Sequence, residues 1–151
     1  MKRIDEFYRG WSSNRCALLE VLNCVEDKHL SFKAWEGAMT LSELILHIAY
    51  ATTMHVERVK TGELIKPEEI EKFRTTKEII AIVKAETKYV KEELKSLTEE
   101  HLKQTVSFTG KEYSGIELLE NGKDHEVHHK GQIFTYLRLL DVKDLPFFRQ
   151  M

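Results

Sequence analysis

Three times along this chain a hydroxyl residue is followed three positions later by a glutamate, and then by a run in which apolar side chains return every three or four residues. The stretches are Thr40-Leu41-Ser42-Glu43, Thr75-Thr76-Lys77-Glu78 and Ser114-Gly115-Ile116-Glu117. This is the spacing of a capping box, in which the hydroxyl and the carboxylate satisfy backbone amides that the first helical turn leaves unpaired. Only two prolines and seven glycines occur in 151 residues, so little interrupts the helical period. A chain punctuated in this way is expected to be all-α. Its amphipathic helices can bury their apolar stripes only against one another, which predicts an antiparallel four-helix bundle forming a single domain over residues 1–151.

The first helix is expected over about Ile4 to Glu26, with Trp11 on its apolar stripe, and is followed by a loop around His29 to Met39. The second runs from the Thr40 cap to Thr61-Gly62. Pro67-Glu68-Glu69 has the form of a short helical turn, with proline first and acids near the positive end of the dipole. The third long helix spans Thr75 to about Ser96, and a further short turn begins at Thr98. The weak alternation from Val106 to Tyr113 predicts an extended loop or a small hairpin. The last helix covers Ser114 to about Leu140, with a weak spot at Asn121-Gly122, and Leu145 to Phe148 forms an apolar tail able to pack back on the helices or onto a partner.

The balance of residues excludes several function classes. A net charge of −2, with lysines spread among glutamates, gives no basic stripe for a phosphate backbone, so nucleic acid is not an expected partner. No apolar run approaches the roughly 20 residues of a membrane span, and the acidic start lacks a signal region, which predicts a cytoplasmic protein without membrane association. Cys16 and Cys24 are both placed on the first helix, about 12 Å apart along its axis, too far to bridge. They read as reduced thiols of small, buried apolar character.

Chemistry concentrates in His125-Glu126-Val127-His128-His129-Lys130-Gly131-Gln132, which holds three of the seven histidines. Residues four apart on a helix share a face, so His125 and His129 can offer two imidazole nitrogens to one ion. A third donor has to come from another segment. His47 stands among Leu44, Ile45, Leu46, Ile48 and Ala49 on or beside the apolar face of the second helix, where a lone imidazole needs a partner. His55, eight residues further on and next to Arg58, is expected at a rim or on the surface. The stretch also matches H-E-x-x-H, the zinc-hydrolase signature whose glutamate activates water, but the longer form with a following glycine and third histidine is absent.

The histidine at the end of Thr40-Leu41-Ser42-Glu43-Leu44-Ile45-Leu46-His47-Ile48-Ala49, together with His-x-x-x-His-x-Gly-Gln in the last helix, closely resembles the DinB family of small helical metalloproteins. The resemblance implies a divalent metal on His47, His125 and His129, with His128 outside the ligand set. Zinc is preferred, with nickel, iron, cobalt or manganese as further candidates. It also implies a link to thiol-dependent S-transferases acting on a small-molecule substrate with a low-molecular-weight thiol, to stress responses, and to homodimers. A metal-binding protein without turnover is the alternative, and catalytic residues beyond the ligands are not assigned. Glu43, Glu126, His128 and Gln132 are the candidates for orienting the ligands. The sequence departs from the family pattern at Lys130, where arginine is common, and in the polar Asn121-Gly122-Lys123-Asp124 that leads into the histidine pair.

Overall fold

The computed structural model describes residues 1–65 and 75–150. Its elements are α1 (Lys2–Leu22), α2 (Leu41–Thr61), α3 (Thr76–Ser96), α4 (Glu99–Lys103), a hairpin of β1 (Thr105–Phe108) and β2 (Lys111–Ser114), and α5 (Gly115–Leu139). All three capping boxes form. Thr40, Thr75 and Ser114 accept from the backbone N–H of Glu43, Glu78 and Glu117, and each glutamate returns to the N–H of its cap residue. Thr98 caps α4 in the same way with His101 in the glutamate's place. Gly62, at φ 76°, ends α2 in the left-handed conformation. The short turn expected at Pro67 lies outside the described residues.

Some boundaries differ from expectation, for local reasons. α1 stops at Leu22 rather than Glu26, because Glu26 instead caps a single 3-10 turn over Asp27–His29, its N–H donating to His29 Nδ1 at 3.1 Å. The weakly alternating stretch is a true antiparallel hairpin, with Val106 opposite Tyr113 and Gly110 at φ 76° in its turn. The protein is therefore mostly helical with a small sheet. α5 runs unbroken through Gly122, where a Cβ would lie 2.8 Å from His55 Cγ. The glycine interrupts nothing; it lets the His55 ring lie against the helix.

The expected antiparallel arrangement holds for α2 against α5 and for α1 against α3, and fails for two other pairs. Thr53 pairs with Glu86, Glu57 with Tyr89 and Lys60 with Glu93, so α2 and α3 run in the same direction. α1 and α5 are likewise parallel, since Trp11 and Arg15 reach Glu126 while Asn14 reaches Lys130. A 21-residue helix is about 31 Å long. The chain between Gly62 and Thr75 is long enough to return along it at about 3.3 Å per extended residue.

The buried apolar residues fall into two clusters. One gathers Leu18, Leu22, Ile45, Ile48, Val83, Ile133 and Leu137 among others; the second gathers Phe7, Trp11, Val56, Val90, Leu94, Leu118 and Leu119. Between them, each long helix contributes a buried polar side chain: Arg15, Thr52, Thr87 and Glu126. Glu126 is 0% exposed, and its carboxylate is held bidentately by Arg15 Nε and Nη2, each at 2.8 Å. Trp11 Nε1 and the Thr52 hydroxyl also donate to it, at 3.0 and 2.9 Å. Arg15 Nη1 completes the layer on Thr87 Oγ1 at 3.0 Å. A buried ion pair is tolerable only when its remaining donors and acceptors are matched, as they are here.

The tail returns to the helices instead of projecting from them. Lys130, 2% exposed, donates from Nζ to Asn14 Oδ1 at 2.6 Å and to the Phe148 carbonyl at 2.5 Å, and Gln150 N–H donates to the Ser13 carbonyl at 3.2 Å. The rings of Phe147 and Phe148 face outward, 63% and 57% exposed. Among the described residues no helix is long and apolar enough to cross a membrane.

Candidate metal centre

The crossing of α2 over α5 determines which histidines meet. His47 comes from the second turn of α2, and His125 and His129 rise from successive turns of α5 on the side facing it. Ring centroids are 4.8 Å apart for His47 and His125, 4.8 Å for His47 and His129, and 4.4 Å for His125 and His129. One ligand nitrogen from each can be chosen so that all three lie within 4.8 Å of one another. His47 Nε2 and His125 Nε2 approach to 3.0 Å. Two imidazole lone pairs repel at that distance, so the contact requires a proton or a cation between them.

The third ring is oriented by its neighbour in the motif. His129 Nδ1 lies 2.6 Å from Gln132 Oε1. An amide oxygen only accepts, so Nδ1 carries the hydrogen and Nε2 keeps its lone pair for the cluster. This is the outer-shell arrangement by which proteins fix the tautomer of a metal-binding histidine. Protonation opposes ligation, and the site suppresses it. Burial, followed by the neighbouring imidazoles, holds His125 down to about 4, and burial with the nearby His129 lowers His47. Nitrogen ligands of a tetrahedral ion with bonds of about 2.0–2.1 Å stand roughly 3.3 Å apart, a separation that the nitrogens here bracket. The donor set fits a divalent cation.

The other sequence candidates are placed apart from this cluster or are otherwise occupied. His128 is exposed, its ring 4.8 Å from that of His129 and outside the ligand group. Glu126 points away from the histidines into its ion pair with Arg15, so the H-E-x-x-H glutamate is not a base beside the cluster. Glu43 closes the α2 cap. Arg58 donates to the Ser107 carbonyl at 2.7 Å and lies over Phe108. Cys16 and Cys24 are both free and half-buried, not fully enclosed as expected.

His55 corrects the sequence reading most sharply. Expected at a rim, it is only 4% exposed, because the absent side chain of Gly122 gives its ring a seat on α5 and Phe108 of the hairpin covers it at a centroid distance of 5.1 Å. The signal was the Asn121-Gly122 step, which is legible only once α5 is known to be unbroken there. The Arg15 and Thr52 side chains that hold Glu126 gave no signal of their own, because charged and hydroxyl residues on a helix ordinarily face solvent.

Both the sequence and the fold have known relatives. The family model described as "DinB family" matches residues 1–148. The uncharacterized protein YjoA of Bacillus subtilis (strain 168) is 30% identical over 153 residues, covering 99% of each chain. The crystal structure of a DinB-like protein, YjoA, from Bacillus subtilis superposes with a TM-score of 0.82 at 28% identity over the whole of both chains. A DinB-like protein from Bacillus cereus gives 0.78 at 23% identity, covering 94% of this chain and 95% of its own, and shares the fold. With its helices arranged like theirs and the family model spanning nearly its full length, the chain belongs to the DinB family.

Proposed function

We propose that this protein is a four-helix-bundle metalloprotein that holds one divalent ion on His47, His125 and His129 and uses it in slow thiol transfer to a small electrophile. The observation that carries the metal part is the convergence of the three imidazoles, with His47 Nε2 and His125 Nε2 at 3.0 Å and His129 turned by Gln132 to offer Nε2. Three neutral imidazoles leave a coordination position open on a four-coordinate ion. If bound there, a divalent ion would supply acidification of a small protic molecule such as water or a thiol at neutral pH. Zinc suits the donor set, and nickel, iron, cobalt and manganese are further candidates.

The protein's own residues bind and orient in this reading. α2 and α5 hold the three rings, Gln132 fixes one tautomer, and burial disfavours protonation of His47 and His125. A hydrolase of the H-E-x-x-H type is disfavoured, because both oxygens of Glu126 are engaged by Arg15, Trp11 and Thr52. Metal binding without turnover is the second reading, supported by the engagement of Glu126, the one acid within the His125–His129 stretch, in its ion pair with Arg15.

Metal analysis of protein purified without a histidine tag tests the first step. One equivalent is expected in the wild type and in His128→Ala, and none in His47→Ala, His125→Ala or His129→Ala. The second step is tested by metal-dependent conjugation of small thiols, including bacillithiol-like ones, to a model electrophile. Activity should be lost on chelation and kept in Cys16→Ser and Cys24→Ser. A metal-loaded protein with no rate above background would leave the second reading. We further propose a cytoplasmic homodimer that binds no nucleic acid or membrane, with the outward Phe147 and Phe148 as contact. Light scattering at micromolar concentration tests the dimer.

A further inference from the structure

His55 is not one of the three clustered histidines, yet it lies directly behind one of them. Its ring centroid is 6.2 Å from that of His125, with the two planes inclined by 36°. Its Nδ1 is 2.7 Å from the Ala51 carbonyl, and a carbonyl only accepts, so Nδ1 carries the hydrogen and Nε2 presents a lone pair. That Nε2 is buried without a hydrogen-bond partner. Asn121 approaches the ring and favours its charged form, but does not complete a bond to Nε2. Leaving a buried acceptor orphaned is destabilising, yet the ring is accommodated there by the glycine at 122, whose Cβ would collide with it.

The ligand rings supply the complementary need. His129 has its outer nitrogen bonded to Gln132. His125 turns Nε2 toward His47, which leaves Nδ1 on the outer edge of its ring, and among the described residues that nitrogen makes no hydrogen bond. A histidine that ligates through Nε2 must carry its hydrogen on Nδ1, and such a hydrogen normally meets a carboxylate, a carbonyl or a water. At a ring-centroid separation of 6.2 Å no nitrogen of one ring reaches a nitrogen of the other directly, so a link between them requires a bridging water.

We propose that His55 is the positioning residue for His125, its Nε2 accepting the Nδ1–H of that ring through one water and so holding His125 Nε2 on the metal. Gln132 and His55 are then matched outer partners for the two histidines of α5. The inference rests on the metal reading of the three-histidine cluster and adds a residue that does not touch the ion. Outer partners of this kind typically change metal affinity by 10–100-fold.

The test is a zinc competition titration against a chromophoric chelator, on wild type, His55→Phe, His55→Gln and Gln132→Leu, with melting of each metal-free protein alongside. His55→Phe should bind zinc 10–100-fold more weakly, as should Gln132→Leu, with metal-free melting unchanged or raised. His55→Gln, which keeps an acceptor, should stay within about threefold of wild type. In zinc-loaded wild type, nitrogen-15 NMR should show a His125 Nδ1–H protected from solvent exchange, and His55 protonated on Nδ1 alone. Wild-type affinity in a folded His55→Phe, or a freely exchanging His125 Nδ1–H in loaded wild type, overturns the proposal; the NMR reading decides it even if the variant does not fold. Failure of wild type to bind one equivalent of zinc is a different result, which overturns the metal reading itself.

Discussion

Trp11 Nε1 donates to Glu126 Oε2 at 3.0 Å, joining the middle of the first helix to the residue that follows a candidate metal ligand in the last. The bond belongs to the polar layer between the two apolar clusters, so the register of α5 against α1 is set by a buried carboxylate as well as by apolar packing. The orientation of His125 depends on the same register, one residue away.

Removing one partner of that layer strands the other. Arg15→Met should destabilise the protein by about 3–5 kcal/mol, because Glu126 stays buried without its cation. Adding Glu126→Leu should recover much of the loss, since an apolar pair removes the stranded charge. Urea unfolding of the two variants and the wild type measures both steps.

The metal-free protein should lose stability as pH falls from about 6.5 to about 4. The folded state lowers the pKa of His47, His55 and His125, burial being the first cause for each, and His125 reaches about 4. Between the ordinary imidazole value and these lowered ones the unfolded chain binds more protons, so stability rises with pH across that window and flattens above it. The urea midpoint should follow this course, and His125→Phe should show a shallower slope.

Two glycines of α5 should respond to alanine with opposite signs. At Gly131 nothing lies within 4 Å of the added Cβ, so Gly131→Ala should stabilise by about 1 kcal/mol through helix propensity. At Gly122 the same methyl meets His55 Cγ at 2.8 Å, so Gly122→Ala should lower the melting temperature despite the better propensity. Thermal melts of the two variants separate the effects.

Much of this was written in the chain's local chemistry. Thr40, Thr75 and Ser114 each announced a helix start three residues ahead of a glutamate, and His125 with His129 needed only the helical period to share a face. The pairing of His47 with them came from family resemblance, because which helices cross is set by long-range packing that no local window contains. The parallel course of α2 and α3 was missed for the same reason: direction depends on how far the chain between them travels. His55 was misplaced because its burial is decided by Gly122, 67 positions away in sequence and in direct contact in space.

Lys130 reaches through the interior to the Phe148 carbonyl from the position next to His129. Anything that lifts the tail, such as proteolytic clipping before Phe147 or an affinity handle fused behind it, would leave an ammonium group inside the protein with one acceptor fewer, on the helix turn that carries a candidate ligand. Loss of residues 147–150 should therefore register as weakened zinc retention as well as a lower melting temperature. For laboratory handling, the end of the chain to leave untouched is therefore the one that carries Phe148.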